Sequence, residues 1–191
     1  MQKNKILSCR HLVIGYKNKP LGTIDCELSS GDVLSISGGN GSGKTTFIKT
    51  ILGLTPSLGG EVDWSVEDNS IEYLPQISHE DQFFSYTMHE ILNLFKVGNQ
   101  WLKTLSKDFL VKRWNDASGG EKQKALILTK LTRDVKVLIL DEPLNHLDKD
   151  NKVVVSQMLS GIYQQNPHLV MIIISHQPLE DKKLFNQEIC L

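Results

Sequence analysis

The chain has 191 residues, 40% of them apolar, which suits one globular unit with a sizeable buried core and leaves little for a second full domain. Its 21 basic and 22 acidic residues leave a formal charge of -1, so no broad electrostatic attraction to nucleic acid is expected. Cys9, Cys26 and Cys190 are odd in number, far apart in sequence and without a C-x-x-C pair, which points to neither a disulfide framework nor a structural zinc site and fits reducing cytosol.

Met1-Gln2-Lys3-Asn4-Lys5 is basic, but only Ile6-Leu7 follows before Ser8, too short for the apolar core of a signal peptide. The longest apolar run, Leu169 to Ile174, falls far below the roughly 20 residues that cross a bilayer, so membrane passage needs another chain. β-rich stretches lie at Ile6 to Ile14 and Thr23 to Leu28, and Gly31-Asp32 turns the chain into the strand Val33-Leu34-Ser35-Ile36-Ser37. That strand feeds Gly38-Gly39-Asn40-Gly41-Ser42-Gly43-Lys44-Thr45, a G-x-x-x-x-G-K-[ST] pattern. Thr46 to Leu54 continues as a helix with Phe47, Ile48, Ile51 and Leu52 on helical spacing, ended by Gly53 and Pro56. Strand, glycine loop and helix in that order are the setting a phosphate-binding loop requires.

Gly59-Gly60 with Glu61 to Trp64, and then Ile71 to Leu74, read as a short strand pair before Pro75-Gln76. Thr87-Met88-His89-Glu90 has capping-box spacing, opening a helix through Ile91, Leu92, Leu94 and Phe95. Residues 77–117 are expected to form a small helical insert, with 1–76 and 118–191 making the core. Ser118-Gly119-Gly120-Glu121 repeats the capping spacing before Ala125, Leu126, Leu128 and Leu131. Val135 to Leu140 and Leu169 to Ile174 are apolar runs of strand length with a helical Val153 to Leu159 between them, the pattern of parallel strands covered on both faces. The fold class is therefore α/β.

The chemistry starts at the glycines, whose backbone amides can cradle phosphate oxygens beside the positive end of the next helix. Lys44 is placed to reach the β and γ phosphates, Thr45 offers a hydroxyl to Mg2+, and Asp141, closing the strand Val137-Leu138-Ile139-Leu140, is its acidic partner at the metal. A phosphate loop alone leaves kinases, GTPases and many ATPases open.

Ala117-Ser118-Gly119-Gly120-Glu121 resembles the signature motif of ABC-family ATPases, and the other elements of that family follow in order between Tyr16 and His176. The resemblance implies a P-loop NTPase (RecA-like) core with a mainly parallel sheet, an N-terminal antiparallel β subdomain and a small helical insert. It implies ATP as the nucleotide, held by Gly39, Asn40, Gly41, Ser42, Gly43, Lys44, Thr45 and Thr46, with Tyr16 stacked on adenine. Gln76, after Tyr73-Leu74-Pro75, corresponds to the glutamine that touches Mg2+ and links the site to the insert. Glu142 corresponds to the carboxylate that polarises the attacking water, His176 to the switch histidine at the γ phosphate, and Asp148 to the aspartate of the loop Leu144-Asn145-His146-Leu147-Asp148. Ser118, Gly119 and Gly120 correspond to residues that bind the γ phosphate of a second cassette, so the resemblance implies a head-to-tail dimer.

Ala117 and Glu121 depart from the commoner leucine and glutamine beside the signature, and the short tail after His176 leads to the expectation of a minimal stand-alone cassette. Such a subunit implies a separate membrane-spanning permease, a position on the cytoplasmic face of the membrane and no direct contact with nucleic acid. Phe83, Phe84, Tyr86 and Met88 are either a groove for that partner or the core of the insert. Import and export both stay open, and so does the cargo. Asn145-His146-Leu147-Asp148 is also similar to the loop of soluble family members acting in translation or DNA maintenance, whereas one cassette with no heptads and no basic tail favours transport.

Overall fold

The strands separate by how much of them water reaches. The computed structural model describes residues 4–76, 85–132, 134–175 and 184–191. Within it β6 (Val137–Asp141) and β7 (Val170–Ile174) are buried at every position, as expected where helices cover both faces of a sheet. They join β3 (Val33–Ser37), β5 (Ile71–Leu74) and β8 (Gln187–Cys190) in a parallel sheet of order β5-β6-β7-β3-β8. A second, antiparallel sheet holds β1 (Lys5–Tyr16), β2 (Lys19–Ser29) and β4 (Gly59–Trp64) in the order β2-β1-β4.

This arrangement corrects one expectation. Glu61 to Trp64 and Ile71 to Leu74 do not pair with each other: Leu7 faces Trp64 in the antiparallel sheet, while Ile71 faces Val137 in the parallel one. The Trp64 indole donates to the Ile51 carbonyl at 2.7 Å and the Ser65 amide to the Ile6 carbonyl at 2.9 Å, fixing the end of β4 to the first sheet. A 3-10 turn at Asp68–Ser70 then carries the chain across, where the Lys136 amide donates to the Ser70 carbonyl. The final strand, β8, was not legible beforehand; its short run alternates between half-buried and exposed positions.

Helix α1 (Lys44–Ile51) starts two residues before the expected Thr46 and ends three before the expected Leu54, where Gly53 takes φ 69 and the amides of Leu54 and Thr55 both return to the Lys49 carbonyl. The insert contains α2 (Met88–Leu94), α3 (Asn99–Leu102) and α4 (Lys107–Val111), followed by a 3-10 turn at Trp114–Asp116. The expected capping box at Thr87 is present: its hydroxyl accepts from the Glu90 amide and its amide donates to Glu90 at 2.7 Å. Helix α5 (Gly119–Thr129) follows, and α6 (Lys149–Gln165) is longer than the expected Val153 to Leu159 at both ends: Asp148 caps it one turn earlier, and it runs on to Gln165 before Asn166 ends it.

Alternation along β6 and β7 sends side chains into two cores. Leu138, Leu140, Met171 and Ile173 pack with α5, α6 and the insert residues Met88, Ile91 and Trp114. Val137, Ile139, Val170 and Ile172 pack with Phe47 and Ile48 of α1 and with Leu7, Leu12 and Ile14 of the antiparallel sheet. The phosphate loop thus leaves a strand clamped between two apolar layers. Met88 is wholly buried and belongs to the insert's core, Tyr86 is exposed, and Phe83 and Phe84 lie outside the described residues. Among the described residues no helix is long and apolar enough to cross a membrane.

Candidate nucleotide site

The loop from Gly38 to Gly43 closes onto the first turn of α1, where Gly43 takes φ 110, a conformation that favours glycine. The α1 amides that lack helical partners there face the loop's interior. Lys44 is almost fully buried, and its ammonium donates to the carbonyls of Gly38 at 2.9 Å and Gly39 at 2.8 Å. The Ser42 hydroxyl is buried with no hydrogen-bond partner among the described residues. A phosphate oxygen entering the loop would give both groups the anionic partner their chemistry calls for.

Behind Lys44, the Thr45 hydroxyl donates to Asp141 Oδ2 at 3.0 Å, and the Tyr73 hydroxyl donates to the same oxygen at 3.2 Å. The other oxygen, Oδ1, is buried without a partner among the described residues. Burial pushes the Asp141 carboxyl upward, opposed by the Thr45 and Tyr73 hydroxyls. Burial also pushes Tyr73 upward, and the adjacent Asp141 carboxylate adds to the shift. An orphaned buried carboxylate oxygen beside a threonine hydroxyl is a donor set that fits a hard divalent cation such as Mg2+. Thr45 and Asp141 would hold it, and when bound it supplies charge neutralisation to phosphate oxygens. Tyr73 is a site residue that sequence reasoning missed; its only local signal is its place three residues before Gln76. Tyr73→Phe should raise the Mg2+ concentration for half-maximal turnover by up to about tenfold, one hydrogen bond's worth of positioning, measured by Mg2+ titration of phosphate release.

A cavity of about 350 Å3 opens above the loop. It is lined by Asn40, Gly41, Gly43, Lys44, Thr45 and Thr46 of the loop and helix start, by Tyr16, Lys19 and Leu21 of the antiparallel sheet, and by Gln76 and Glu142. Tyr16 is 63% exposed, leaving its ring open to a flat aromatic partner. Lys19 and Leu21 were not anticipated. Glu142 adopts φ 53 directly after β6, and its amide donates to the Ile174 carbonyl at 3.1 Å. A left-handed glutamate at a strand end is a strained arrangement, one found at functional sites. The Asn145 side chain donates to Glu142 Oε2 at 2.5 Å, and Asn40, Gln76, Glu142, Asn145 and His146 line an adjoining cavity of about 570 Å3.

The signature lies apart. Ser118 caps α5 as expected, its hydroxyl accepting from the Glu121 amide at 3.2 Å and its amide donating to Glu121 Oε2 at 2.8 Å. The unusual Glu121 has a reason in the fold: Lys112 reaches both its oxygens at 2.7 and 2.9 Å. Burial pushes Glu121 upward, yet Lys112 and the Ser118 amide hold it below the usual glutamate range. Gly120 sits so close to Asn151 that a Cβ there would meet Asn151 Oδ1 at 2.0 Å. Asn151 is itself held by Asp148, whose carboxylate accepts from the Asn151 amide and side chain, each at 2.8 Å. Asp148 therefore acts here as the cap of α6. None of Ser118, Gly119, Gly120 or Asp148 lines the cavity. His176 lies outside the described residues.

The geometry so far is a phosphate cradle, a metal-competent carboxylate and a second carboxylate at the cavity mouth. The ABC transporter family model matches residues 21–145. The chain belongs to the ABC transporter family.

This cassette is 30% identical over 204 residues to an uncharacterized ABC transporter ATP-binding protein of Haemophilus influenzae, covering 92% of this chain and 76% of that one. It is 28% identical to the high-affinity zinc uptake system ATP-binding protein ZnuC of Bacillus subtilis, covering 97% and 90% of the two chains. Among solved structures it superposes with a TM-score of 0.82 and 27% identity on an ABC transporter assigned to the metal-chelate type, in an inward-facing conformation, covering 98% of this chain and 80% of that one. The cassette is accordingly an ATP-binding ATPase subunit, and its parallel sheet, helices and antiparallel sheet are those of the P-loop ABC fold.

Proposed function

We propose that the cassette hydrolyses MgATP in a head-to-tail pair and drives a separate membrane-spanning partner from the cytoplasmic face of the membrane. One observation carries the pairing: the phosphate cradle and the Ser118-Gly119-Gly120 segment occupy different parts of the chain, and no residue of the latter lines the cavity. A second copy supplying that segment would complete the site with the amides of a helix start and the Ser118 hydroxyl. In this reading Tyr16 stacks on adenine, the loop from Gly39 to Thr46 holds the phosphates, and Thr45, Asp141 and Gln76 serve the metal. Glu142, with His176, orients and activates the water that attacks the γ phosphate, while Lys44 stabilises the charge that develops there.

Residues 77–117 act as the helical subdomain that meets the partner, with 1–76 and 118–191 as the ATP-binding core. Tyr86, Leu94, Phe95 and Val111 of that subdomain are exposed apolar groups. The cargo is a metal ion or metal complex, a reading supported by relatives named for zinc uptake and metal-chelate transport.

The test is to tag the Glu142→Gln variant in its native cells, extract membranes in mild detergent and identify what co-purifies at saturating ATP. A stoichiometric multi-span membrane protein is the expected result. Ribosomal or DNA-associated partners with no membrane chain would overturn the transport assignment.

A further inference from the structure

The three cysteines look unrelated in sequence, yet the fold places two of them face to face. Cys9 of β1 and Cys26 of β2 are direct register partners in the antiparallel sheet, and directly opposed residues share one face of it. Opposed Cα atoms in such a pair stand about 4.5–5.5 Å apart, inside the roughly 4.4–6.8 Å that a disulfide spans. Cys9 is 2% exposed and packs in the core, whereas Cys26 is half-buried at its edge.

The neighbouring backbone pins the pair. The register shifts between Cys9 and Leu12, where His11 takes φ 47 and its amide donates to Asp25 Oδ1 at 2.7 Å. This bulge and its clamp fix the two strands beside the sulfurs. On the other side β4 holds β1, with Val62 opposite Cys9. Bringing the sulfurs together therefore needs side-chain rotation rather than strand movement.

We propose that Cys9 and Cys26 form a reversible oxidation site, a facing thiol pair that a low-molecular-weight disulfide converts into an intrachain disulfide. The roles follow from exposure. Cys26, the thiol within reach of solvent, attacks one sulfur of the oxidant as the thiolate, expels one small thiolate and carries a mixed disulfide. Cys9 gives up its proton, attacks the Cys26 sulfur and expels the second small thiolate. Two protein thiols lose two electrons and two protons, and one small disulfide becomes two small thiols. The facing Cys9 thiol holds Cys26 below the usual thiol range, and Cys26 together with burial pushes Cys9 above it, which matches this division. The bond would close the β1–β2 hairpin, whose far end carries Tyr16 and Lys19 into the nucleotide cavity.

The experiment uses the full chain with Cys190→Ser, exposed to glutathione disulfide under native conditions, quenched by alkylation and weighed by mass spectrometry. Both thiols are expected to become unavailable to the alkylating agent, with no glutathionyl adduct retained, and dithiothreitol should restore both. Cys9→Ala should keep a glutathionyl group on Cys26, and Cys26→Ala should leave Cys9 reduced. The proposal is overturned if both thiols stay reduced while Cys190 of the unmodified chain reacts, or if an adduct on Cys26 accumulates with Cys9 intact. Should Cys9→Ala fail to fold, the chain carrying both thiols decides between these results by itself.

Discussion

Replacing Glu142 by glutamine should slow ATP turnover by about 10²- to 10⁴-fold, the usual contribution of a positioned general base, while leaving nucleotide binding in place. The expectation rests on where the fold puts this side chain. Glu142 lines the cavity above the loop, whereas Lys44 is held by Gly38 and Gly39, and Thr45 and Tyr73 hold Asp141. Glutamine is isosteric and can keep a bond with Asn145, so the left-handed turn at this position is not disturbed. What it removes is the carboxylate's capacity to take a proton from water. Phosphate release in single turnover, beside equilibrium nucleotide binding, separates the two effects. Full turnover in this variant would exclude Glu142 as the base, and lost binding would make its role structural.

Gly120→Ala carries the second large effect, and helix propensity predicts the opposite sign. Alanine in place of glycine near the start of α5 would by itself favour the helix by up to about 1 kcal/mol. The added Cβ would, however, meet Asn151 Oδ1 at 2.0 Å and Cγ at 2.3 Å. Asn151 cannot swing aside without breaking the bond from its side-chain amide to Asp148 Oδ2, and rotation leaves its own Cβ 2.7 Å from the added atom. Overpacking of this kind costs about 1–3 kcal/mol, and the side-chain bond to Asp148 costs about 0.5–1.5 kcal/mol if it breaks. A net loss of stability is therefore expected, seen as a lower unfolding midpoint, together with loss of ATPase activity as the signature backbone shifts. The combined variant Gly120→Ala with Asn151→Ala should be less destabilised than the sum of the singles, because the contacts with Oδ1 and Cγ are gone and only that with the residue 151 Cβ, at 2.7 Å, remains. Additive destabilisation would place the fault elsewhere than in this contact.

Sequence alone carried the parts of the site that are built locally. The phosphate loop, the Ser118 capping box and the Asp141-Glu142 pair each rest on a few adjacent residues, and each appears where expected. Glycine spacing and a carboxylate at the end of an apolar strand are local facts, so they survive without knowledge of tertiary contacts. What escaped was set by pairing across the fold. Tyr73 reaches Asp141 only because β5 lies beside β6, and Asn151 meets Gly120 only because the starts of α5 and α6 converge. The facing of Cys9 and Cys26 depends on a register that a bulge at Arg10 and His11 shifts immediately afterwards. Reading β4 and β5 as one hairpin failed for the same reason. Neighbouring strands in sequence usually pair, but Trp64 fastens β4 to the α1 end and the next turn crosses to the other sheet.

The two bonds from Lys44 to the loop carbonyls bear on the thermodynamics of loading. With its cation satisfied from within, the loop keeps its shape before any nucleotide arrives, and binding becomes an exchange of partners on a finished surface. A loop that is shaped in advance does not have its affinity divided down by a rare open state. Entry is a matter of encounter, not of waiting for the loop to fold.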